Sequence, residues 1–269
     1  MKHKNFLAIG LLVFALFSCK KDNNGVTIRD YNEVAVENER DIQTYLKTHF
    51  AYLDTNNNVV IDTIAGANAS QTSLLNDTNL KKKTLKVRIT DNSYLDHTMY
   101  YIIFKEGTGE QATVADRSYV LYKGQTLKNK VFENAKKLTQ NNWFDLLGDR
   151  TRNNNGMIYG FREAVALLKA APIQDLPENQ DGTLSLPSNY GIGLFIMPAA
   201  LAYYTGSTNI PAYSPVVFEI NLLKTEHIDH DADGIPSINE INHQEDGIIS
   251  YPDCNGNGVV DYLDSRKCN

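Results

Sequence analysis

The sequence predicts an α+β chain: an antiparallel sheet wrapped on one short helix, an N-terminal helical extension and a small C-terminal loop module. Three observations lead there. From Met99 onward, apolar runs rich in Tyr, Phe, Ile and Val recur between turn residues: MYYIIFKEG, SYVLYKG, WFDLLG, LFIMP and PVVFEINLL. One helical stretch, FREAVALLKAA (161–171), interrupts them and is stopped by Pro172. After Leu223 the aliphatic residues thin out, and Asp, Asn and Gly take over. Strands grouped around a single helix, instead of alternating with helices, indicate an α+β arrangement. The 269 residues suffice for one or two domains with appendages. A net charge of -6 and no strong basic patch exclude a nucleic-acid backbone as partner.

Taken in order, residues 1–18 read as a targeting signal. MKHKNF is positive, LAIGLLVFALF is a short apolar run, and KKDNNG after it is abruptly polar. The run suits a signal peptide better than a membrane span. Leu16-Phe17-Ser18-Cys19 resembles a bacterial lipobox, and with the following KKD it is similar to lipoproteins of Bacteroidetes. That resemblance implies cleavage before Cys19, lipid on that cysteine, and a protein tethered in the cell envelope, on the outer membrane's periplasmic face or the cell surface. An ordinary secretory signal with an incidental cysteine is the alternative. Cys254 and Cys268 would then lie in an oxidising compartment, which favours a disulfide over two free thiols.

Residues 19–97 form a tether and an extension. A helix is expected from Asp30 to Leu53, with Ile42, Tyr45, Leu46, Phe50 and Leu53 on one face. TNNN (55–58) is a turn, VVIDTI a strand, residues 65–83 a loop, and LKVRI (85–89) a half-buried strand. Residues 98–226 form the main domain, with a long loop at 172–191, and residues 227–269 the terminal module.

The stretch 98–226 resembles an FKBP-type peptidyl-prolyl cis-trans isomerase. The segments that carry the likeness are YYIIFKEGTGEQATVADRSYVLYKG, VFEN, MIYGFREAV, IMPAALAYY and IPAYSPVVFEINLL, in the family's order. The resemblance implies an aromatic pocket for a proline ring, no catalytic cofactor, and proline-containing polypeptides as clients. Tyr122, Phe132 and Phe218 would be its walls, Phe161 its floor, and Trp143 a flanking ring. Met157 and Ile158 would line a rim, the Ile158 N–H and the Tyr203 hydroxyl would contact a substrate carbonyl, Ile210 would sit in an overhanging loop, and Glu133 would be the acid beside the phenylalanine. Four positions depart from the family pattern: Glu133 for Asp, Phe161 for Trp, Ala164 for Gly and Tyr204 for Gly. Read without the resemblance, the same aromatics fit an ordinary β-core.

The module contains two copies of one pattern, DHDADGIPSINE (229–240) and DCNGNGVVDYLD (253–264). Asp229, Asp231, Asp233, the Ile235 carbonyl, Ser237 and Glu240 fall at positions 1, 3, 5, 7, 9 and 12 of a calcium loop. Asp253, Asn255, Asn257, the Val259 carbonyl, Asp261 and Asp264 repeat the spacing. Gly234 and Gly258 stand at the sharp turn. Pro236 and the lack of an incoming helix make the pattern similar to thrombospondin type 3 or dockerin repeats, which implies structural Ca²⁺. The alternative is an Asx-rich flexible tail. His227 and His230 read as surface residues.

Overall fold

The structure, a computed structural model, describes residues 28–90 and 93–266. Helix α1 (Tyr31–Thr48) starts at Asp30, whose carboxylate accepts the N–H groups of Asn32 and Glu33. That satisfies two of the donors a helix start leaves orphaned. The helix stops before the expected Leu53: His49 is already extended, and β1 (His49–Leu53) pairs antiparallel with β2 (Val59–Thr63). Phe50 and Leu53 therefore belong to a hairpin.

The main sheet comprises β3 (Lys81–Thr90), β4 (Ser93–Lys105), β5 (Arg117–Thr126), β6 (Val131–Asn134), β7 (Trp143–Asp145), β8 (Gly191–Met197) and β9 (Val216–Glu226). Its order is β3-β4-β8-β9-β5-β6, with β7 on β5, and every pairing is antiparallel. The border expected between residues 97 and 98 falls inside β4, and β3 joins the same sheet.

One face packs on helix α2 (Tyr159–Val165), with Phe161, Val165, Leu168, Phe195 and Phe218 at its centre. Helix α2 ends earlier than 171 because the following backbone turns to other partners. The N–H groups of Lys169, Ala170 and Ala171 donate to the carbonyls of Glu106, Glu110 and Leu223. The other face is buried as well. Ile42, Tyr45 and Leu46 of α1, with Val59 and Leu74, cover Ile102, Leu121, Leu194 and Val217. Ile173, Leu176 and Leu184 of the long loop pack on this second face too, so that loop does not roof the aromatic side. Burial on both faces explains why GIGLFIM is buried at all seven positions, where a half-exposed strand would alternate.

The C-terminal module contains a short hairpin of two-residue strands, β10 (Asn242–His243) and β11 (Ile249–Ser250). It packs on the main domain through Ile241 and Tyr262 against Val114, Ala115 and Leu147. The Lys86 N–H donates to the Asp246 carbonyl at 2.9 Å, and the Lys86 ammonium pairs with the Asp246 carboxylate at 3.0 Å.

Candidate functional site

Alternation along β5 sends Tyr122 and Gly124 to the α2 face and Leu121 to the other. Phe218 on β9 lies opposite Gly124 in register, and Phe132 sits on β6, the sheet's short edge. Four rings then meet: Tyr122–Phe161 at 5.1 Å, Phe161–Phe218 at 5.5 Å, Phe132–Phe218 at 5.6 Å and Tyr122–Phe218 at 6.1 Å. Three of these pairs are edge-to-face, the arrangement ring quadrupoles favour. Gly124 makes room for them. A Cβ there would stand 2.4 Å from the Phe132 ring and 2.9 Å from Phe218.

Beside this cluster opens a cleft of about 240 Å³, lined by Phe132, Glu133, Tyr203, Ser207, Thr208, Asn209 and Ile210. Tyr203 meets Phe132 edge-on at 6.0 Å. Burial, then the nearby Glu133 charge and Tyr203, push the Tyr122 phenol up to about 12. Burial and Glu133 raise the Tyr203 phenol as well. Both hydroxyls thus stay protonated as hydrogen-bond donors, and the acid sits within electrostatic reach of each. Met157 and Ile158 are half-buried against the cluster at the start of α2; the Met157 N–H donates to the Leu146 carbonyl at 3.1 Å, and the Phe161 N–H donates to the Ile158 carbonyl at 3.0 Å.

Trp143 is not in this cluster. It lies on the other face, edge-on to Tyr119 at 5.5 Å, with the Arg117 guanidinium 4.7 Å from the indole centre. Its neighbour Phe144 takes the flanking place, 5.7 Å from Tyr122 and 6.5 Å from Phe161. The sequence reading missed Phe144 by one residue, which on a strand means the opposite face. Ile210 is 5 % exposed and closes a tight turn with Ser207. Tyr204 turns away from the cleft: it stacks on Tyr31 of α1 at 4.2 Å, and its hydroxyl donates to the Arg29 carbonyl.

In the module the two loops share one backbone pattern. Gly234 and Gly258 have φ of 96° and 89°, and their N–H groups donate to Asp229 and Asp253 at 2.7 and 2.8 Å. Asp229, Asp231 and Asp233 bring carboxylate oxygens within 4.8 Å of one another. Asp231 Oδ2 and Glu240 Oε2 are buried without a partner, and burial plus the charges of Asp231, Asp233, Asp229 and Asp261 lift Glu240 to about 7. A cation fits this donor set. Ser237 does not join it, because its hydroxyl is fully buried against the His230 N–H and Nδ1. His230 is itself buried, bonded to Ser237 and Asp145, so it is not a surface residue. In the second loop the donors are partly satisfied among themselves: Asn255 and Asn257 donate to Asp264, and Asp261 accepts the Cys254 N–H. Asp246 is tied to Lys86 on β3. Cys254 is disulfide-bonded, while Cys268 and Cys19 lie outside the described residues.

No family model and no curated protein matches the chain. Among solved structures it is similar to a peptidyl-prolyl cis-trans isomerase from Pseudomonas syringae pv. tomato, at 15% identity and TM-score 0.41, over 74% of this chain and 98% of that one. It is also similar to FkpA from Escherichia coli, at 18% identity and TM-score 0.37, over 72% of this chain and 62% of that one. The N-terminal domain of FKBP42 from Arabidopsis thaliana matches at 15% identity and TM-score 0.35, over 54% and 95%.

Proposed function

We propose that the chain is an FKBP-type prolyl cis-trans isomerase acting on proline-containing polypeptides in the cell envelope. The observation that carries this is the ring cluster of Tyr122, Phe132, Phe161 and Phe218 opening beside a cleft with Tyr203, Glu133 and Ile210. Isomerising an Xaa-Pro bond needs no bond broken. The barrier of roughly 18–20 kcal/mol is the loss of amide delocalisation in a twisted geometry. An apolar wall disfavours the polar planar amide relative to the twisted one, and fixed donors hold the peptide in that geometry. Phe132 and Tyr203 flank the ring, the Tyr203 hydroxyl and the Ile158 N–H offer donors, and Glu133 sets the field.

A direct test is prolyl exchange on a short Xaa-Pro peptide with the full-length chain and Phe132→Ala. Rapid exchange that is lost in the variant supports the enzyme. A second reading, a binding or chaperone domain of the same shape, is favoured by one observation: Phe161 and Phe218 are each 1 % exposed, so the floor is capped by other rings. Peptide binding that Phe132→Ala abolishes, with no acceleration by the wild type, would select it.

The chain is further proposed to be lipid-anchored at Cys19, so Cys19→Ala should move it from the membrane to the soluble fraction. The partnerless oxygens of Asp231 and Glu240 support structural Ca²⁺ held by the first loop, with the matching backbone of the second loop suggesting another. Calcium titration should raise the melting temperature, and Asp231→Asn should abolish most of the rise. An unchanged melting curve on adding calcium would sink the idea. A Cys254–Cys268 bridge would close the C-terminal loop.

A further inference from the structure

The extension is tied to the cleft at one buried polar residue. Asn38 of α1 is 2 % exposed, and its two side-chain atoms reach both ends of the segment 199–213. Its Oδ1 accepts the Ala199 N–H at 2.7 Å, and its Nδ2 donates to the Tyr213 carbonyl at 2.8 Å. Between those points lie Tyr203 and Ile210, two of the residues lining the cleft. Tyr213 holds φ of 61°, a left-handed conformation that a tyrosine adopts only when its surroundings impose it.

Those surroundings are largely the extension. The Arg29 N–H donates to the Tyr213 hydroxyl at 3.2 Å, and the Arg29 guanidinium lies 5.4 Å from the centre of that ring. Tyr204 stacks on Tyr31 with 5° between the planes and meets Tyr213 edge-on at 5.0 Å. A glycine at 204 would leave Tyr31 without this partner. The residue after Tyr203 is therefore large because it grips α1.

We propose that α1 is a brace for the cleft and that Asn38 is a positioning residue, fixing Tyr203 and Ile210 through both ends of their loop. This rests on the isomerase reading for its catalytic consequence, but not for its mechanical one. An unpaired amide or carbonyl at Ala199 or Tyr213 would seek another partner, and the loop would move with it. The braced loop carries both the Ile210 contact and the Tyr203 donor, so loss of the brace should lower kcat/KM.

The test compares Asn38→Ala with Ile42→Val in the full-length chain. Ile42 is on the same helix and fully buried, but belongs to the cluster on the second face of the sheet. Amide hydrogen exchange is followed over residues 199–213, together with Xaa-Pro isomerisation. Asn38→Ala should speed exchange across 199–213 selectively, including the Gly206 and Ile210 amides, and lower kcat/KM about tenfold. Ile42→Val should lower the melting temperature without either effect. Unchanged protection of 199–213 in Asn38→Ala would overturn the brace, as would equal loosening in Ile42→Val. A folded wild type that does not accelerate isomerisation would remove the enzyme reading alone, because hydrogen exchange still decides whether α1 holds the loop.

Discussion

Replacing Gly124 by alanine tests the ring cluster with the smallest possible change. The added methyl would lie 2.4 and 2.6 Å from two atoms of the Phe132 ring and 2.9 Å from Phe218. Carbon atoms rest about 3.5–4.0 Å apart, so a ring must move by about 1 Å. Phe218 is 1 % exposed and cannot yield, whereas Phe132 is half-buried on an edge strand and can swing outward. Overpacking of this kind costs about 1–3 kcal/mol, and the freedom of Phe132 places this case near the lower end. The functional loss should be larger than the stability loss. A catalytic wall displaced by about 1 Å can slow a reaction on the order of 100-fold. Urea unfolding and Xaa-Pro exchange on the same sample give both quantities. A variant that unfolds at lower urea yet isomerises at the wild-type rate would refute Phe132 as a wall of the site. No change in either would refute the packing itself.

Two further changes probe what holds the elements in place. Glu219 on β9 is 2 % exposed, accepts the Val59 N–H at 3.0 Å, and is paired with Lys136 and, at 3.4 Å, Lys123. Lys136→Met leaves that carboxylate under-compensated and should destabilise the fold by about 3 kcal/mol in urea unfolding; a loss below a few tenths would count against the buried pair. Burial lowers the affinity of His227 for its proton, but the hydrogen bond and charge of Asp116 and the charge of Glu110 outweigh this, and its pKa is raised. A raised pKa means stabilisation that is present below the unfolded value of about 6.5 and lost as pH rises through the folded one. His227→Gln should therefore lower the melting temperature more at about pH 5.5 than at about pH 8.5. An equal loss at both would show that the pairing with Asp116 is not charge-assisted.

Much of the ring cluster and of the terminal loops was legible because the signals are local. Tyr122 and Gly124 sit two apart on one strand, VFEN and MIYGF are short contiguous motifs, and the glycines of the terminal loops mark turns that need positive φ. Trp143 was misplaced because a three-residue strand carries no alternation long enough to show which face is inward. Its pairing with Tyr119 decides that, and a slip of one residue exchanges Trp143 for Phe144. The end of α1 was misread because Phe50 and Leu53 continue a helical spacing equally well.

What the sequence determined by itself is thus most of the main-sheet strands, the aromatic motifs and the paired acidic loops, since each depends on side-chain period, turn chemistry or fixed spacing within a few residues. Only the tertiary structure decided that the extension covers the sheet's second face, that Phe144 replaces Trp143, that His230 is buried, and that Asn38 spans a loop more than 160 residues away. A polar side chain on a helix announces no partner in its own neighbourhood. Its role is set by which backbone groups arrive there once the sheet has formed, and that depends on contacts between segments far apart in the chain.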